Sequence, residues 1–189
     1  MSEEDVALVV EETTDSMDKA IRSFRAELTK VRTGRANPAI LDGVQVDYYG
    51  APTPLNQLAN VGVPDARLIV VSPFDAGALN DIEKSILAAD LGLTPSNDGK
   101  VIRCPVPPLT EERRKEIVKQ VKKAAEEHKV GIRDARRTAI SMLKDMENEG
   151  ALPADDRKRA EKTVQELTDR HTALIDEMTQ AKEQEVLEV

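Results

Sequence analysis

Aromatic side chains are nearly missing from this chain, which has two Tyr, two Phe and no Trp among 189 residues. That scarcity argues against an aromatic-lined ligand pocket and against a base-stacking sheet for single strands. One cysteine, Cys104, leaves no partner for an internal disulfide and cannot build a cysteine metal site. The longest plainly apolar run, Leu68-Ile69-Val70-Val71, falls far short of the roughly 20 residues that a bilayer span needs. The N-terminus opens Ser2-Glu3-Glu4-Asp5, unlike a basic leader or a transit peptide, so a soluble cytoplasmic protein is expected. Neither G-x-x-x-x-G-K with a following Ser or Thr, nor G-x-G-x-x-G, nor G-x-S-x-G occurs. A chain that does not hydrolyse nucleotides, is not an enzyme and carries no cofactor is expected.

What the sequence does have is charge, unevenly placed. A third of the residues are charged and the net charge is -8. Residues 106–143 nevertheless hold ten Lys and Arg against six Asp and Glu, one basic stretch inside an acidic protein. The first fifteen residues contain acids and no base, after which Lys19, Arg22, Arg25, Lys30, Arg32 and Arg35 follow.

Gly and Pro divide the chain, most of them falling between Gly34 and Pro108. Outside that segment the apolar residues recur with helical spacing. Val6, Val10, Met17, Ile21, Phe24, Leu28 and Val31 share one face of a first helix, expected to stop near Gly34 before Asn37-Pro38. A second begins after a Thr110 cap and buries Ile117, Val121, Ala124, Ile132, Ala135, Ala139, Met142 and Met146. A third, from Asp155-Asp156, turns Ala160, Val164, Leu167, Leu174, Ile175 and Met178 inward. Each helix has one apolar face and none is stable alone, so they should pair into an elongated antiparallel three-helix bundle.

The middle segment alternates like a half-buried strand at Val44, Val46 and Tyr48, with a second strand over Arg67–Ser72. A helix capped by Asp75 should end at Gly92, and an Asn97-Asp98-Gly99 turn should lead into a last strand, Lys100–Cys104. The expected fold class is therefore α+β: a bundle of residues 1–31 and 106–189, interrupted by a small, hinged β/α/β domain of residues 32–105. The hinge strands are placed near 32–37 and 103–108, with Gly34, Pro105 and Pro107 as hinge residues.

His128 and His171 lie on apolar stripes without a ligand partner one turn on, so both are expected to be satisfied core or core-edge histidines and no metal is assigned. Cys104 has a cation, Arg103, beside it but no neighbouring His or acid, so a packing role is expected. The sharper signal is Lys129, Arg133, Arg136 and Arg137, within about 100° of arc on the second helix, with Ile140 on the same side. Guanidinium forks match phosphate oxygens in pairs, and a rigid row of them suits a folded nucleic-acid backbone. On periodicity alone the row reads equally well as solvated partners of nearby acids.

Four motifs resemble the bacterial ribosome recycling factor family along the whole chain. They are Val31-Arg32-Thr33-Gly34-Arg35-Ala36-Asn37-Pro38, Asp47-Tyr48-Tyr49-Gly50-Ala51-Pro52-Thr53-Pro54-Leu55, Pro107-Pro108-Leu109-Thr110-Glu111-Glu112-Arg113-Arg114-Lys115 and Ile132-Arg133-Asp134-Ala135-Arg136-Arg137. Departures are small: Cys104 stands where an aliphatic residue is expected, and Asp134 and Thr138 stand where the family often carries Asn and Asp. The resemblance implies an L-shaped, tRNA-like outline. It also implies binding to the ribosome together with elongation factor G, whose GTP hydrolysis splits the subunits after termination. It places Arg133, Arg136 and Arg137 on large-subunit rRNA near the intersubunit bridges, with Arg32 and Arg35 as helpers; Lys129 joins the expected ribosome-binding residues through its place on the same basic face. A monomer is expected, with no DNA or membrane partner. A helical protein–protein adaptor that does not bind ribosomes is the alternative these features leave.

Overall fold

Helix α1 spans Ser2–Thr29 and buries Val9, Thr13, Met17, Ile21, Phe24 and Leu28, a seam advancing in steps of three and four residues. Thr13 can sit there because its hydroxyl donates to the Val9 carbonyl at 2.6 Å. In the computed structural model, which describes residues 2–188, this helix packs with the long helices that end the chain. Their labels are α4 for Glu111–Asn148 and α5 for Ala154–Leu187. Thr110 accepts from the Arg113 backbone N–H and so caps α4 as its sequence suggests. The connection between them turns at Gly150, whose φ is +75.

The direction of each helix follows from its contacts. His128 of α4 reaches Ser23 of α1, and at the far end Ala139 and Leu143 cluster with Val9. Arg136 meets Gln165 while Lys129 meets Asp176, so α5 runs back along α4. His171 of α5 joins Asp18 of α1 at 2.8 Å. The result is an up-down-up bundle in which both chain neighbours are antiparallel.

Three seam positions differ from expectation. Leu143 is wholly buried whereas Met142 is exposed, because the seam steps four residues on from Ala139. Leu174 faces outward, whereas Leu167, Thr168, His171 and Ile175 around it are buried. Val9 takes the fully buried place expected of Val6 and Val10, which are half-buried.

The chain divides into two units, one of residues 2–29 with Glu116–Glu188 and the other Lys30–Lys115. Helix α1 stops at Thr29, five residues before Gly34, and Val31 belongs with the second unit. Both chain crossings are stitched into that unit's sheet. The Ala36 N–H donates to the Ala66 carbonyl at 2.7 Å, and the Val106 N–H to Arg67 at 2.8 Å. Division therefore falls at 29/30 and 115/116 instead of 31/32 and 105/106. Met1 and Val189, which the sequence reading placed in the bundle, lie outside the described residues.

In the second unit, β1 (Gln45–Tyr48) and β2 (Ala51–Pro54) form a hairpin, followed by the helical turn α2 (Leu55–Leu58). Strands β3 (Ala59–Asp65), β4 (Leu68–Pro73), β5 (Ser96–Asn97) and β6 (Ile102–Pro105) make an antiparallel sheet in the order β3-β4-β6-β5. Helix α3 (Leu79–Ala88) follows a short 3-10 turn whose first N–H groups Asp75 caps. Val46, Ile69, Val71, Ile82, Ile102 and Cys104 are each fully enclosed in its core. The expected β/α/β outline is thus richer by β2, β3 and β5. Pro52, Pro54 and Pro64 disguise the first two of these. They are tolerated because β2 pairs on one side only and β3 is a sheet edge.

Gly131 stands exposed inside α4, and a Cβ added there would meet nothing within 4 Å. Gly131→Ala should therefore stabilise the protein by about 1 kcal/mol through helix propensity. A raised denaturant midpoint checks this; an unchanged or lowered one contradicts it.

Candidate nucleic-acid interface

Ile132 is wholly buried, and that single contact sets the rotation of α4 about its axis. At about 100° per residue, Arg133 stands about 100° from Ile132, Arg136 about 40° and Arg137 about 140°. The three arginines therefore differ in exposure before any partner is considered. The Arg133 side chain is 49% accessible and Arg137 80%, while Arg136 is half-buried at the seam with α5.

Their partners differ in the same order. Arg137 meets Asp134 at 3.4 Å, one turn back on the same helix and in open solvent. Arg133 lies 3.8 Å from Glu126 with half its surface free. Exposed pairs of this kind contribute at most about 1 kcal/mol, so a phosphate can displace the carboxylate. Arg136 is otherwise engaged. Its Nη1 donates to Gln165 at 3.1 Å, which makes it a strap onto α5, and its Nε is buried with no partner among the described residues.

Lys129 is removed from the row altogether. Only 16% of its side chain is accessible, and its ammonium lies 2.5 Å from Asp176 and 3.3 Å from Glu126. The hydrogen bond to Asp176, and then Glu126, hold it above the ordinary lysine range despite desolvation. Sequence spacing put Lys129 on the basic face; the carboxylates of α4 and α5 turn it into part of the seam. The α4 row thus reduces to Arg133 and Arg137, with Arg136 at its edge.

Arg32 and Arg35 belong to the second unit, with Gly34 and Pro107 close by. All four line a small, largely apolar pocket of ≈ 70 Å³ with Ile40, Gly92 and Leu109. Gly34 has φ +78 and lies where a Cβ would come within 3.3 Å of Leu109, so this site demands glycine on two counts. Pro105 ends β6 opposite Leu68 and is a sheet residue. Among the described residues, Lys19, Arg22 and Arg25 on α1 are exposed and make no ion pair. The site reading did not include them. Their spacing just after an acid-only stretch was the available signal.

Both histidines sit in the bundle with their rings satisfied. His171 is buried, its Nδ1 2.7 Å from the Leu167 carbonyl and its Nε2 2.8 Å from Asp18. His128 repeats the pattern with Ala124 and Ser23, and stacks obliquely on Phe24 at 5.2 Å. Among the described residues no three His, Cys, Asp or Glu are grouped to hold a metal. Among the described residues no helix is long and apolar enough to cross a membrane.

Cys104 alternates inward with Ile102 on β6, and burial, reinforced by Glu83, pushes its thiol up to about 11. Arg103 points away, to Asp98. An unfolded thiol ionises first, so this group's share of stability falls as pH rises from about 9 towards 11. At pH 8 the native thiol should resist a disulfide reagent until the chain is unfolded; prompt labelling of native protein would contradict this burial.

A helical bundle with a cationic flank, interrupted by a small antiparallel-sheet unit, defines an α+β class of protein. The ribosome recycling factor family matches residues 24–187. The ribosome-recycling factor of Desulfosudis oleivorans is 54% identical over 182 residues, covering 96% of this chain and 98% of that protein. That of Bacillus subtilis is 52% identical over 181 residues, with the same coverage. A solution structure of the ribosome recycling factor aligns with a TM-score of 0.78 at 37% identity, covering 98% of both chains. The T. thermophilus factor, described with E. coli elongation factor G bound to the E. coli post-termination complex, aligns at 0.65 and 46% identity, covering 96% and 98%. The chain belongs to the ribosome recycling factor family.

Proposed function

We propose that this chain releases ribosomes from mRNA after termination, splitting the post-termination complex into subunits with elongation factor G and GTP. The observation that supports this most is the T. thermophilus relative described on such a complex with that factor, at 46% identity over 96% of this chain. In this reading Arg133 and Arg137 lie against large-subunit rRNA near the intersubunit bridges, and Arg136 holds α5 beside them. Arg32 and Arg35 act as helpers from the second unit, which swings about the two chain crossings that join it to the bundle; Gly34, Pro105 and Pro107 lie inside that unit and are not its hinge. The chain works as a monomer in the cytoplasm and catalyses no step itself; the GTPase partner supplies the energy.

Physical chemistry favours phosphate as the target of the α4 row. A protein of net charge -8 repels polyanions over most of its surface, so a small cationic row docks in one orientation instead of coating RNA. The lack of aromatics on that face favours a folded backbone over single strands.

Mixing the purified chain with post-termination complexes, elongation factor G and GTP tests the reading directly. Subunits should appear faster than with the GTPase alone, and an equal rate contradicts it. Arg133→Ala and Arg137→Ala should each weaken ribosome co-sedimentation about tenfold, ~1.4 kcal/mol, with the unfolding midpoint unchanged. Lys129→Ala should do the reverse, lowering the midpoint and leaving affinity within about twofold, because its contacts are internal. A wild-type chain that does not co-sediment with ribosomes would favour the adaptor reading, and ribosome binding that ignores both arginine variants would contradict the role given to the α4 row.

A further inference from the structure

Arg136 holds α5 through a kind of partner that its basic neighbours on α4 do not have. Lys129 meets Asp176 and Glu126, Arg133 meets Glu126 and Arg137 meets Asp134, all of them carboxylates. Arg136 instead donates to the neutral amide of Gln165, and among the described residues it makes no ion pair. A carboxylate would be the stronger brace. Its two oxygens could take two guanidinium donors at once, including the Nε that is buried with no partner among the described residues. Glutamate and glutamine have nearly the same shape, so nothing steric selects the amide.

The amide is also held one way round. Gln165 and Asp169 stand one turn apart on α5, and the Gln165 Nε2 donates to the Asp169 carboxylate at 2.8 Å. A carboxylate accepts and a guanidinium only donates. With Nε2 turned to Asp169, the Gln165 Oε1 faces Arg136 and accepts from its Nη1 at 3.1 Å. Exchanging nitrogen and oxygen would set donor against donor and oxygen against carboxylate. Asp169 therefore anchors Arg136 through an intervening neutral group, and its own charge is kept one side chain away.

This arrangement leaves the Arg136 charge uncancelled beside the row. Arg133 lies one turn before it and about 60° round the helix, and Arg137 follows it directly. Half-buried at the seam, the guanidinium is screened less than its exposed neighbours. We infer that Gln165, oriented by Asp169, is a positioning residue for ribosome binding. It fixes Arg136 without neutralising it, so that a third positive charge backs the phosphate held by Arg133 and Arg137. This rests on the recycling reading and extends the candidate interface from α4 to α5.

Gln165→Glu tests it, because the substitution keeps the shape and cancels the charge. Its unfolding midpoint should equal or exceed that of the wild type. Ribosome co-sedimentation should weaken about fivefold. In an Arg136→Ala chain the same substitution should cost less than about twofold, since Gln165 acts through Arg136. Gln165→Met, close in length but without an acceptor, should weaken binding about threefold, because the guanidinium is then charged but unanchored. Full affinity in either folded Gln165 variant overturns this inference alone, by showing that Arg136 is a brace and nothing more. So does a lowered midpoint in Gln165→Glu, which would mean that the fold itself needs the amide. An equal loss in the Arg136→Ala chain also overturns it, since the added carboxylate would then be acting on the surface at large. A wild-type chain that does not co-sediment with ribosomes overturns the recycling reading and this inference with it.

Discussion

The rotation of α4 about its own axis is the constraint from which the candidate interface follows. Ile132, Ala139 and Leu143 are enclosed between α1 and α5, so the residues between them have no choice of direction. A fully buried Leu, Ile or Phe contributes about 2–3 kcal/mol to such a seam, against at most about 1 kcal/mol for an exposed ion pair. Packing therefore decides where the arginines point, and electrostatics acts on what packing leaves exposed. Arg136 is caught at the edge of the seam for that reason, and Arg133 and Arg137 are not.

Charges within the bundle fall into two kinds. Lys129 with Asp176 and Arg157 with Glu147 join different helices through side chains that are largely enclosed on the cationic side, and the His171–Asp18 hydrogen bond joins α5 to α1 in the same way. They locate one helix against another. Arg137 with Asp134, Lys115 with Glu111 and Lys123 with Glu127 lie along a single helix in solvent. Pairs of the second kind are exchangeable, and a polyanion can take the place of their carboxylates. Sorting basic residues by whether their partner stands on the same helix or another one separates candidate ligands from braces.

Much of the bundle was legible because its signal is long. Three stretches of helical periodicity, a Thr110 cap and a Gly150 turn suffice for the element order. Errors arose where a polar residue was buried by a local bond, as at Thr13 and Thr168, both of which donate to the carbonyl four residues back. The sheet unit was harder. Prolines suppress the strand signal of β2 and β3 and β5 is two residues long, so short edge strands carry little pattern of their own. For the candidate site, spacing defined a basic helix face but could not distinguish Lys129 from Arg133. Their difference lies in Asp176, almost fifty residues away in sequence and brought near only by the α4–α5 pairing.

The salt dependence of ribosome binding bears most directly on the central claim, that packing aims two guanidinium groups at folded RNA phosphate. Each lost phosphate contact lowers the slope of log K against log salt by about 0.7–0.9. Replacing Arg133 and Arg137 together by alanine should therefore flatten the slope by about 1.5 while the unfolding midpoint holds. An unchanged slope in the folded double variant would mean that these side chains meet no phosphate, and would contradict the account.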